Sequence, residues 1–598
     1  MESQETRTKG LLQRGWSRRS LLATGGAAAF LAACGGGSAP APSGGQTSGG
    51  SAPAASGGSA PAATAQAAAQ GQPKQGGTAR YPLVGISSGN PPTIFPFENL
   101  TYLAQHPGAL HYSRLLRAVA APDVAAVDFT KLEGDLAAKL PEQPDNLTYV
   151  FTLKPNIKYH DKAPMNGRAA TAKDVVATVE YFKTKSQNAG AWNAVVDRVE
   201  APDDKTVKMT LKAPFAPFLA THASSPESLW LIPIETIESE QAKKDPVGTG
   251  PWIFRQWESG VAMRWDRNPS YFDGPLPYFN KVEASLNGDP QRIIAGLQSG
   301  DLDWSGLAVT VYDEAKKKLD PKGKDVIYPR GVLTAFFFNF DIKPWGDKRV
   351  RQALSMALDR DGYLKVQDPT GKGEWASHLS AALAPYFMSP KTAASEFGPN
   401  ANLYKKNIAE AKKLLAAAGF PDGFNFRLTA NIDAYGAEAK QAWELFSSTI
   451  TEAGFKPELT FQEYGSYIQS TYLGKMTEGC AVGPLIGAPR DPDDIFSRLY
   501  ASASPRHNWG GAPITEMADL DARFAKQRTI LDTQERIKEI KEIQRVMADS
   551  MLVVPTHNNP EYFWAQPYVQ NFNLKAAYGV HMETYAKAYF NDERLKKG

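Results

Sequence analysis

From residue 76 onward, sequence patterns typical of strands alternate with patterns typical of helices. This alternation restricts the possible folds of the chain more than any other feature of the sequence. The stretch LTYVFTLKPNIKYH alternates apolar and polar residues, as in a half-buried strand with Tyr149, Phe151 and Leu153 on one face. PDDKTVKMTLKAP repeats this pattern after a turn, and WIFRQWESGVAMRWDRN has the pattern of a hairpin that turns at Ser259 and Gly260. The spacing therefore predicts antiparallel strands in the first half of the chain that follows residue 75.

Helical spacing of apolar residues follows in the second half. DPQRIIAGLQSGDLDW predicts a helix that ends at Gly300 before a short strand. Further helices are predicted after three capping residues, Asp347, Asn407 and Asp532. Mixed strands and helices predict an α/β architecture, and 598 residues exceed the roughly 250–300 at which single domains stop growing, so we expect two or three domains.

The first 34 residues have the pattern of a secretory leader. Arg18 and Arg19 precede an apolar run that is too short to span a membrane, and they resemble the twin-arginine export signal. LAAC resembles a bacterial lipobox, in which Cys34 is lipidated and becomes the mature N-terminus. Residues 35–75 consist almost entirely of Gly, Ala, Ser, Pro, Gln and Thr, which predicts a flexible tether with a reach of roughly 35 Å.

Charge and cysteine content exclude some classes of protein. From residue 76 onward the chain carries 60 basic and 61 acidic side chains, a net charge of −1. Such a balance argues against nucleic acid as a partner. Once Cys34 is lipidated, only Cys480 remains, so an intrachain disulfide is excluded.

DPVGTGPWIF has the glycines of a phosphate-binding loop but not its other requirements. Pro251 follows Gly250 and has no N–H to donate, and a strand comes next instead of a helix. We expect no nucleotide here and interpret Gly248 and Gly250 as a sharp turn into the hairpin. GISSG matches the serine-hydrolase pattern around Ser87, but NPPTIFPF follows and cannot continue as a helix.

Metal and cofactor signatures are missing from the sequence. The eight histidines form neither an HExxH pair nor a Cys/His cluster. We therefore expect no metal and no cofactor. In RDPDDIFSRLY, Asp491 and Asp493 allow two interpretations: they pair with a cationic ligand or metal, or Asp491 caps a helix that begins with Pro492.

Aromatic residues in loops suggest a binding surface. TAFFFNFDIKPW sets Phe338 beside Asn339, although core packing also explains alternating phenylalanines in a buried strand. Trp375 lies in GKGEWASHL, and Asn508 and Trp509 lie in RHNWGG, both glycine-flanked loops. A tryptophan in a loop is a candidate for stacking on a ligand.

The motifs, read in order, resemble the extracytoplasmic solute-binding proteins of ABC transporters, family 5, the peptide- and nickel-binding type. His160, Asp161, Ala172, Asp174 and Val175 occupy the positions of that family's first turn and helix, and PVGTGPW, GDLDW, RVRQALSMALDRDGYL, AKKLLAAAGF and DPDDIF follow in family order. The resemblance implies a two-lobed periplasmic-binding-protein clamp of type II, in the large cluster C form, with an extra subdomain inserted in lobe I. It also implies a binding protein and not an enzyme.

The resemblance further implies a division of the chain, with crossovers near residues 331–336 and 553–557. The expected parts are a leader (1–34), a linker (35–75), lobe I (76–118), an inserted subdomain (119–247), lobe I continued (248–332), lobe II (333–554) and a lobe I return (555–598).

The implied function is that of a lipid-anchored receptor, and we expect it to be a monomer. It would hold an oligopeptide or a similarly sized solute and deliver it to an ABC permease with its ATPase, on the outer face of the bacterial cell membrane or in the periplasm. The ligand-binding residues expected are Phe338, Asn339, Trp375, Asp491, Asp493, Asn508 and Trp509. Peptide-binding relatives carry an Asp where this chain has Ala488, so a sugar, an opine or a metal chelate stays open as the solute, and a secreted hydrolase using Ser87 is the other alternative.

Overall fold

A computed structural model describes most of the chain after the linker. The described residues are 72–83, 91, 93–99, 102–125, 127–186, 189–225, 228–286, 288–368, 370–431, 436–463, 466–472, 476–477, 479–486, 489–504, 514–574 and 584–596. The leader, with Arg18, Arg19 and Cys34, and nearly all of the linker lie outside these ranges, as do Ser87, Ala488, Asn508 and Trp509.

The strands are numbered in chain order. They are β1 (Thr78–Pro82), β2 (Leu116–Ala118), β3 (Leu132–Gly134), β4 (Thr148–Thr152), β5 (Val196–Glu200), β6 (Thr206–Leu211), β7 (Trp252–Glu258), β8 (Ala262–Arg267), β9 (Lys281–Ser285), β10 (Trp304–Leu307), β11 (Lys324–Pro329), β12 (Leu333–Phe338), β13 (Glu374–Trp375), β14 (Phe424–Asn431), β15 (Phe455–Gln462), β16 (Gly479–Ile486), β17 (Val554–Pro555), β18 (His557–Asn558), β19 (Pro560–Ala565), β20 (Val569–Gln570) and β21 (Tyr589–Phe590).

The α-helices are numbered in the same way. They are α1 (Tyr102–His111), α2 (Ala172–Lys185), α3 (Ala189–Val195), α4 (Ile234–Glu238), α5 (Pro290–Ser299), α6 (Val309–Lys318), α7 (Lys348–Ala357), α8 (Arg360–Gln367), α9 (Ile408–Ala417), α10 (Gly436–Thr451), α11 (Pro492–Ile495), α12 (Met517–Thr529), α13 (Thr533–Ser550) and α14 (Asp592–Lys596). Short 3₁₀ segments cover Gln241–Lys243 and Ala394–Tyr404, and single π-turns cover Leu219–Ala223, Tyr467–Tyr472 and Phe496–Tyr500.

The larger sheets divide between two parts of the chain. Three sheets use residues before 330 together with the C-terminal return, in the orders β1-β9-β8-β7, β4-β6-β5 and β10-β19-β11. A five-stranded sheet, β15-β14-β16-β12-β17, uses only residues between 333 and 555. Its strands β15, β14 and β16 run parallel, whereas β12 pairs antiparallel with both β16 and β17.

The buried apolar side chains form two main cores that follow the same division. The first core joins residues 79–304 with residues 563–590, and also takes in Tyr328 and Ala382. The second core runs from Leu333 to Val554. We call the parts built on them lobe I and lobe II. The chain passes between these two parts twice, from β11 to β12 and from β17 to β19. The finer domain boundaries stay predictions.

Local sequence signals set many of these elements. Strands β4 and β6 pair antiparallel with Tyr149 opposite Met209, and the faces predicted to be apolar are buried. Asp289, Asp347, Asn407 and Asp532 each accept a backbone N–H bond at a helix N-terminus, and α5 ends at Gly300 as expected. Within the described ranges no helix combines the length and the apolar character that crossing a membrane requires.

Candidate functional site

Lobe I and lobe II touch each other through polar groups at the segment from residue 215 to residue 225. The Nη1 atom of Arg490 in lobe II donates a hydrogen bond to the carbonyl oxygen of Ser224 at 2.6 Å. The backbone N–H of Ala216 donates to the carbonyl oxygen of Arg528 in lobe II, also at 2.6 Å. We call these two hydrogen bonds the interlobe contact. Both hydrogen bonds end on a backbone carbonyl oxygen.

Arg490 reaches this contact from the short connection between β16 and α11. Its backbone N–H donates to Asp494 Oδ2 at 3.0 Å, which holds the connection against the first turn of α11. Its guanidinium carbon lies 5.8 Å from the centre of the Phe129 ring in lobe I. The side chain is only 7% exposed, so the charge of Arg490 lies inside the boundary between the lobes.

Arg114 lies on the lobe I side of the same boundary, just before β2. Its backbone N–H donates to Asp135 Oδ2 at 2.7 Å, which fixes the start of the strand. Its guanidinium carbon lies 4.5 Å from the centre of the Trp230 ring, within the range of a cation–π contact. Arg114 is fully buried, and this burial, together with the nearby charge of Arg490, holds its pKa well below the usual value.

Each of the two arginines contacts a residue in the part of the chain around residues 224–225 and 228–231. Arg490 binds Ser224, and Arg114 stacks on Trp230. The backbone N–H of Leu231 donates to the carbonyl oxygen of Ser113, the residue before Arg114, at 2.8 Å. Trp230 is itself fixed, since its Nε1–H donates to Gln105 Oε1 at 3.0 Å. One guanidinium from each lobe therefore contacts lobe I here, Arg490 at Ser224 and Arg114 at Trp230.

Asp491, a predicted ligand-binding residue, has a cationic partner within lobe II. Arg536 Nη1 and Nη2 donate to its two carboxylate oxygens, each at 2.6 Å, and both side chains are almost completely buried. Asp491 Oδ1 also accepts the N–H of Asp493 at 2.8 Å, with Pro492 as the first residue of α11. The helix-cap interpretation of Asp491 is thus confirmed, and a role in ligand binding stays a prediction.

Asp493, like Asp491, is buried and paired with an arginine of lobe II. Arg528 Nε and Gln527 Nε2 donate to its Oδ1 at 2.6 Å and 2.7 Å. Burial raises the pKa of Asp493, although Arg528 opposes this effect. Both carboxylates are therefore tied to α12 and α13, and they support the contact that Arg528 makes with Ala216.

Phe338 and Asn339 lie at the end of β12 inside lobe II. The Phe338 ring is fully buried and stacks on Trp345 with ring centres 4.8 Å apart. Asn339 Nδ2 donates to the carbonyl oxygen of Met476 at 2.9 Å, and its Oδ1 accepts the N–H of Asp341 at 3.0 Å. These contacts support the core-packing interpretation for Phe338 and give Asn339 a turn-forming role. Ligand contact by either residue stays a prediction.

Trp375 lies in β13, which pairs with β18 of the C-terminal return. Its Nε1–H donates to Asp361 Oδ1 at 3.0 Å, and its ring is 8% exposed within the second core. The structure brings Asp491 and Asp493 together, but within its described ranges no hydrogen bond or ring contact joins them to Phe338, Asn339 or Trp375. Among the described residues, the predicted ligand-binding residues are therefore not joined into one cluster.

Sequence reasoning missed the two arginines at the boundary. Arg114 lies in YSRLLR and Arg490 in APRDPDD, and neither stretch has the spacing of a known binding motif. The one sequence signal for Arg490 was its position directly before the helix cap Asp491, in the connection between a strand and a helix. Among the described residues, no group of three or more His, Cys, Asp and Glu side chains is placed to hold a metal ion.

Comparisons with known proteins agree on one family. The model of the bacterial extracellular solute-binding proteins, family 5, middle part, matches residues 131–505. Heme-binding protein A of Haemophilus influenzae is 26% identical over 495 residues, which cover 76% of this chain and 86% of that protein. The oligopeptide-binding protein AppA of Bacillus subtilis is 25% identical over 435 residues, which cover 69% of this chain and 76% of that protein.

Solved structures show the same architecture. The ABC transporter substrate binding protein CtaP of Listeria monocytogenes superposes with a TM-score of 0.70 at 24% identity, covering 86% of this chain and all of that chain. This match confirms the predicted fold class, a two-lobed α/β clamp of the type II periplasmic-binding-protein form.

Proposed function

Because the chain belongs to family 5 of the bacterial extracellular solute-binding proteins, we propose that it is a lipid-anchored receptor of an ABC importer. It captures an oligopeptide or a similarly sized solute between lobe I and lobe II and delivers it to the membrane permease. The observation that carries this proposal is the interlobe contact, in which two separately packed lobes meet through Arg490–Ser224 and Arg528–Ala216.

The interlobe contact suits a clamp that opens and closes. Each hydrogen bond contributes about 0.5–1.5 kcal/mol net, so breaking both costs only a few kcal/mol. A solute that touches both lobes can offset such a difference and shift the equilibrium towards the closed state. The two crossovers from β11 to β12 and from β17 to β19 give the lobes a hinge, because short element-terminal segments absorb the change in backbone angles.

A solute-binding test addresses the receptor function directly. Native mass spectrometry of the purified protein without its leader and linker (residues 76–598), compared with a denatured extract, identifies a solute that stays bound. A panel of peptides, sugars and metal chelates is then titrated while the melting temperature is followed. A receptor gains about 2.7 kcal/mol at a solute concentration 100 times its dissociation constant. Failure of every solute to bind contradicts the proposal, whereas recovery of the solute unchanged supports transport over hydrolysis.

A fractionation test addresses the anchor. We expect the Cys34→Ala variant to be released from membranes into the soluble fraction, because the lipid attachment residue is gone. Cys480→Ala is the matched control, since Cys480 is buried in lobe II and the variant should stay with the membrane. Membrane association of both variants contradicts anchoring at Cys34.

A further inference from the structure

We propose that Asn558 positions the hinge between lobe I and lobe II, by bridging the two crossovers at a β-bulge. The inference rests on the proposed receptor function and deepens it, since it concerns how the lobes close on a solute. Asn558 is a positioning residue, because it acts on the angle between the lobes through the crossovers and not through contact with the solute.

The two crossovers pair with each other as one antiparallel ribbon. On the lobe I side, β11 and β19 pair in regular register up to Pro329 opposite Pro560. On the lobe II side, β12 and β17 pair with Ala335 opposite Pro555. The first pair belongs to the sheet β10-β19-β11 and the second to the five-stranded sheet. Each end of the ribbon is therefore fixed in a sheet of one lobe.

The register of this ribbon changes by one residue between its two ends. The first crossover advances by six residues from Pro329 to Ala335, whereas the second advances by five from Pro555 to Pro560. One extra residue on one strand of an antiparallel pair is a β-bulge, which interrupts the hydrogen-bond ladder and bends the strand. The ribbon is therefore irregular where the chain passes from one lobe to the other.

Two backbone hydrogen bonds limit where this bulge lies. On the lobe I side, the N–H of Arg330 donates to the carbonyl oxygen of Asn559 at 3.1 Å. On the lobe II side, the N–H of Thr556 donates to the carbonyl oxygen of Thr334, also at 3.1 Å. The extra residue therefore lies within 331–333. A hinge motion changes the backbone angles of a few residues, and this interruption between two regular ladders is the place where it costs least.

The side chain of Asn558 spans the interrupted part of the ribbon. Its Nδ2 atom carries two N–H groups, which donate to the carbonyl oxygens of Arg330 at 3.0 Å and of Val332 at 3.4 Å. Its Oδ1 atom has no hydrogen-bond partner among the described residues, so these two donated bonds orient the amide. A side-chain amide thus supplies donors to the first crossover where the backbone ladder is interrupted.

Asn558 is at the same time bound to lobe II through its backbone. It lies in β18, where it pairs with Glu374 of β13. The residue is 3% exposed, so water does not replace the two amide hydrogen bonds when they are lost. A residue paired with lobe II therefore holds the first crossover at its bulge, and this restricts the angle that the lobes adopt.

The distance between the lobes tests this role without any solute. The Cys34→Ala protein, whose remaining Cys480 is buried, is spin-labelled at Lys173→Cys in α2 and Lys413→Cys in α9, one exposed position in each lobe. Pulsed electron paramagnetic resonance then gives the distribution of distances between the labels. We expect Asn558→Ala to broaden this distribution or to shift its centre, because the hinge loses its bridge. An unchanged distribution would overturn the proposal.

Asn268→Ala is the matched control for the loss of a buried amide. Asn268 is also 3% exposed, and its Nδ2 donates to the carbonyl oxygen of Gly250 at 3.0 Å, but both residues belong to lobe I. This variant should lower the melting temperature and leave the distance distribution as in the parent. Asn558→Ser keeps a hydroxyl donor and replaces the alanine variant if that one does not fold. An equal change in the Asn268 and Asn558 variants would overturn the assignment to the hinge.

The outcome is independent of the solute panel that tests the receptor function. An unchanged distance distribution in the Asn558 variants removes the hinge role of this residue and leaves the receptor function standing. Failure of every solute in the panel contradicts the receptor function, whatever the distance distribution shows.

Discussion

The Nε2 atom of His160 lies 3.1 Å from the carbonyl oxygen of Gly250, and its Nδ1 atom accepts the N–H of Gly248 at 3.3 Å. Since Nδ1 is an acceptor, Nε2 carries the proton, and the imidazole is neutral. One buried side chain thereby joins two family motifs that are far apart in sequence. The glycine-rich stretch that resembles a phosphate loop is instead a turn packed on His160 and on the end of α1.

Replacing His160 should change how stability depends on pH. Burial lowers the pKa of His160 to about 3, whereas an unfolded chain has a histidine pKa near 6.5. The stability contributed by the neutral ring is therefore complete above pH 6.5 and is lost as pH falls towards 3, about 2 kcal/mol of it by pH 5. Urea titrations at pH 7, 6 and 5 should show the parent protein losing that much more free energy of unfolding than His160→Gln does. Parallel losses would contradict this account.

Gly248→Ala should destabilise lobe I strongly. A Cβ atom at this position would lie 1.9 Å from the carbonyl oxygen of His111, and backbone atoms cannot move aside as a side chain can. We expect a loss of at least about 1–3 kcal/mol, the usual cost of overpacking. Gly190→Ala is the control, because it lies in α3 with nothing within 4 Å of the added atom and should be neutral or slightly stabilising. Equal melting temperatures of the two variants would contradict the prediction.

Asp491→Asn should destabilise lobe II by about 3–5 kcal/mol, the typical cost of breaking a buried ion pair by removing one partner. Arg536 would then keep a buried charge without its two carboxylate bonds. The comparison is Asp204→Asn, which breaks an exposed pair with Lys173 and should cost less than about 1 kcal/mol. Urea unfolding of both variants measures the difference. A small effect of Asp491→Asn would return this residue to candidacy as a free ligand-binding group.

Trp375→Ala should lower stability, in contrast to the expectation from sequence that only ligand binding would suffer. Its ring packs in the second core and its Nε1–H binds Asp361, so truncation should cost about 3–5 kcal/mol. Thermal unfolding of the solute-free protein measures this. Trp375→Phe keeps most of the packing and separates the two roles, because a stacking residue would retain affinity in that variant. Normal stability of Trp375→Ala with weakened binding would favour ligand stacking.

Elements with local signals were predictable from sequence, and contacts between distant segments were not. The antiparallel pair β4 and β6, the hairpin of β7 and β8, and the caps Asp347 and Asn407 follow from patterns of a few residues. The pairing of Trp375 with His557 joins two-residue strands that lack any alternation pattern. Local sequence therefore predicts a loop at Trp375, where the structure has a strand.

The contacts in the candidate site likewise could not be predicted from local sequence. The residue types of the DPDD stretch indicated both a cap and a ligand group, and only the tertiary structure reveals that Arg536 lies opposite Asp491. Arg114 and Arg490 come from distant segments of the chain, and no local spacing encodes that the charge of Arg490 acts on Arg114.

The first core combines segments from both ends of the chain, and this affects the order in which the two lobes are completed during synthesis. Tyr81 of β1 packs on Trp304 and on Tyr585, so the beginning of lobe I needs a partner made about 500 residues later. At a synthesis rate of about 5–20 residues per second, roughly 25–100 s separate these events. Lobe II is one continuous stretch that is complete at Val554, before Tyr585 is made. The middle of the chain therefore matures first, and the part that is made first is completed last.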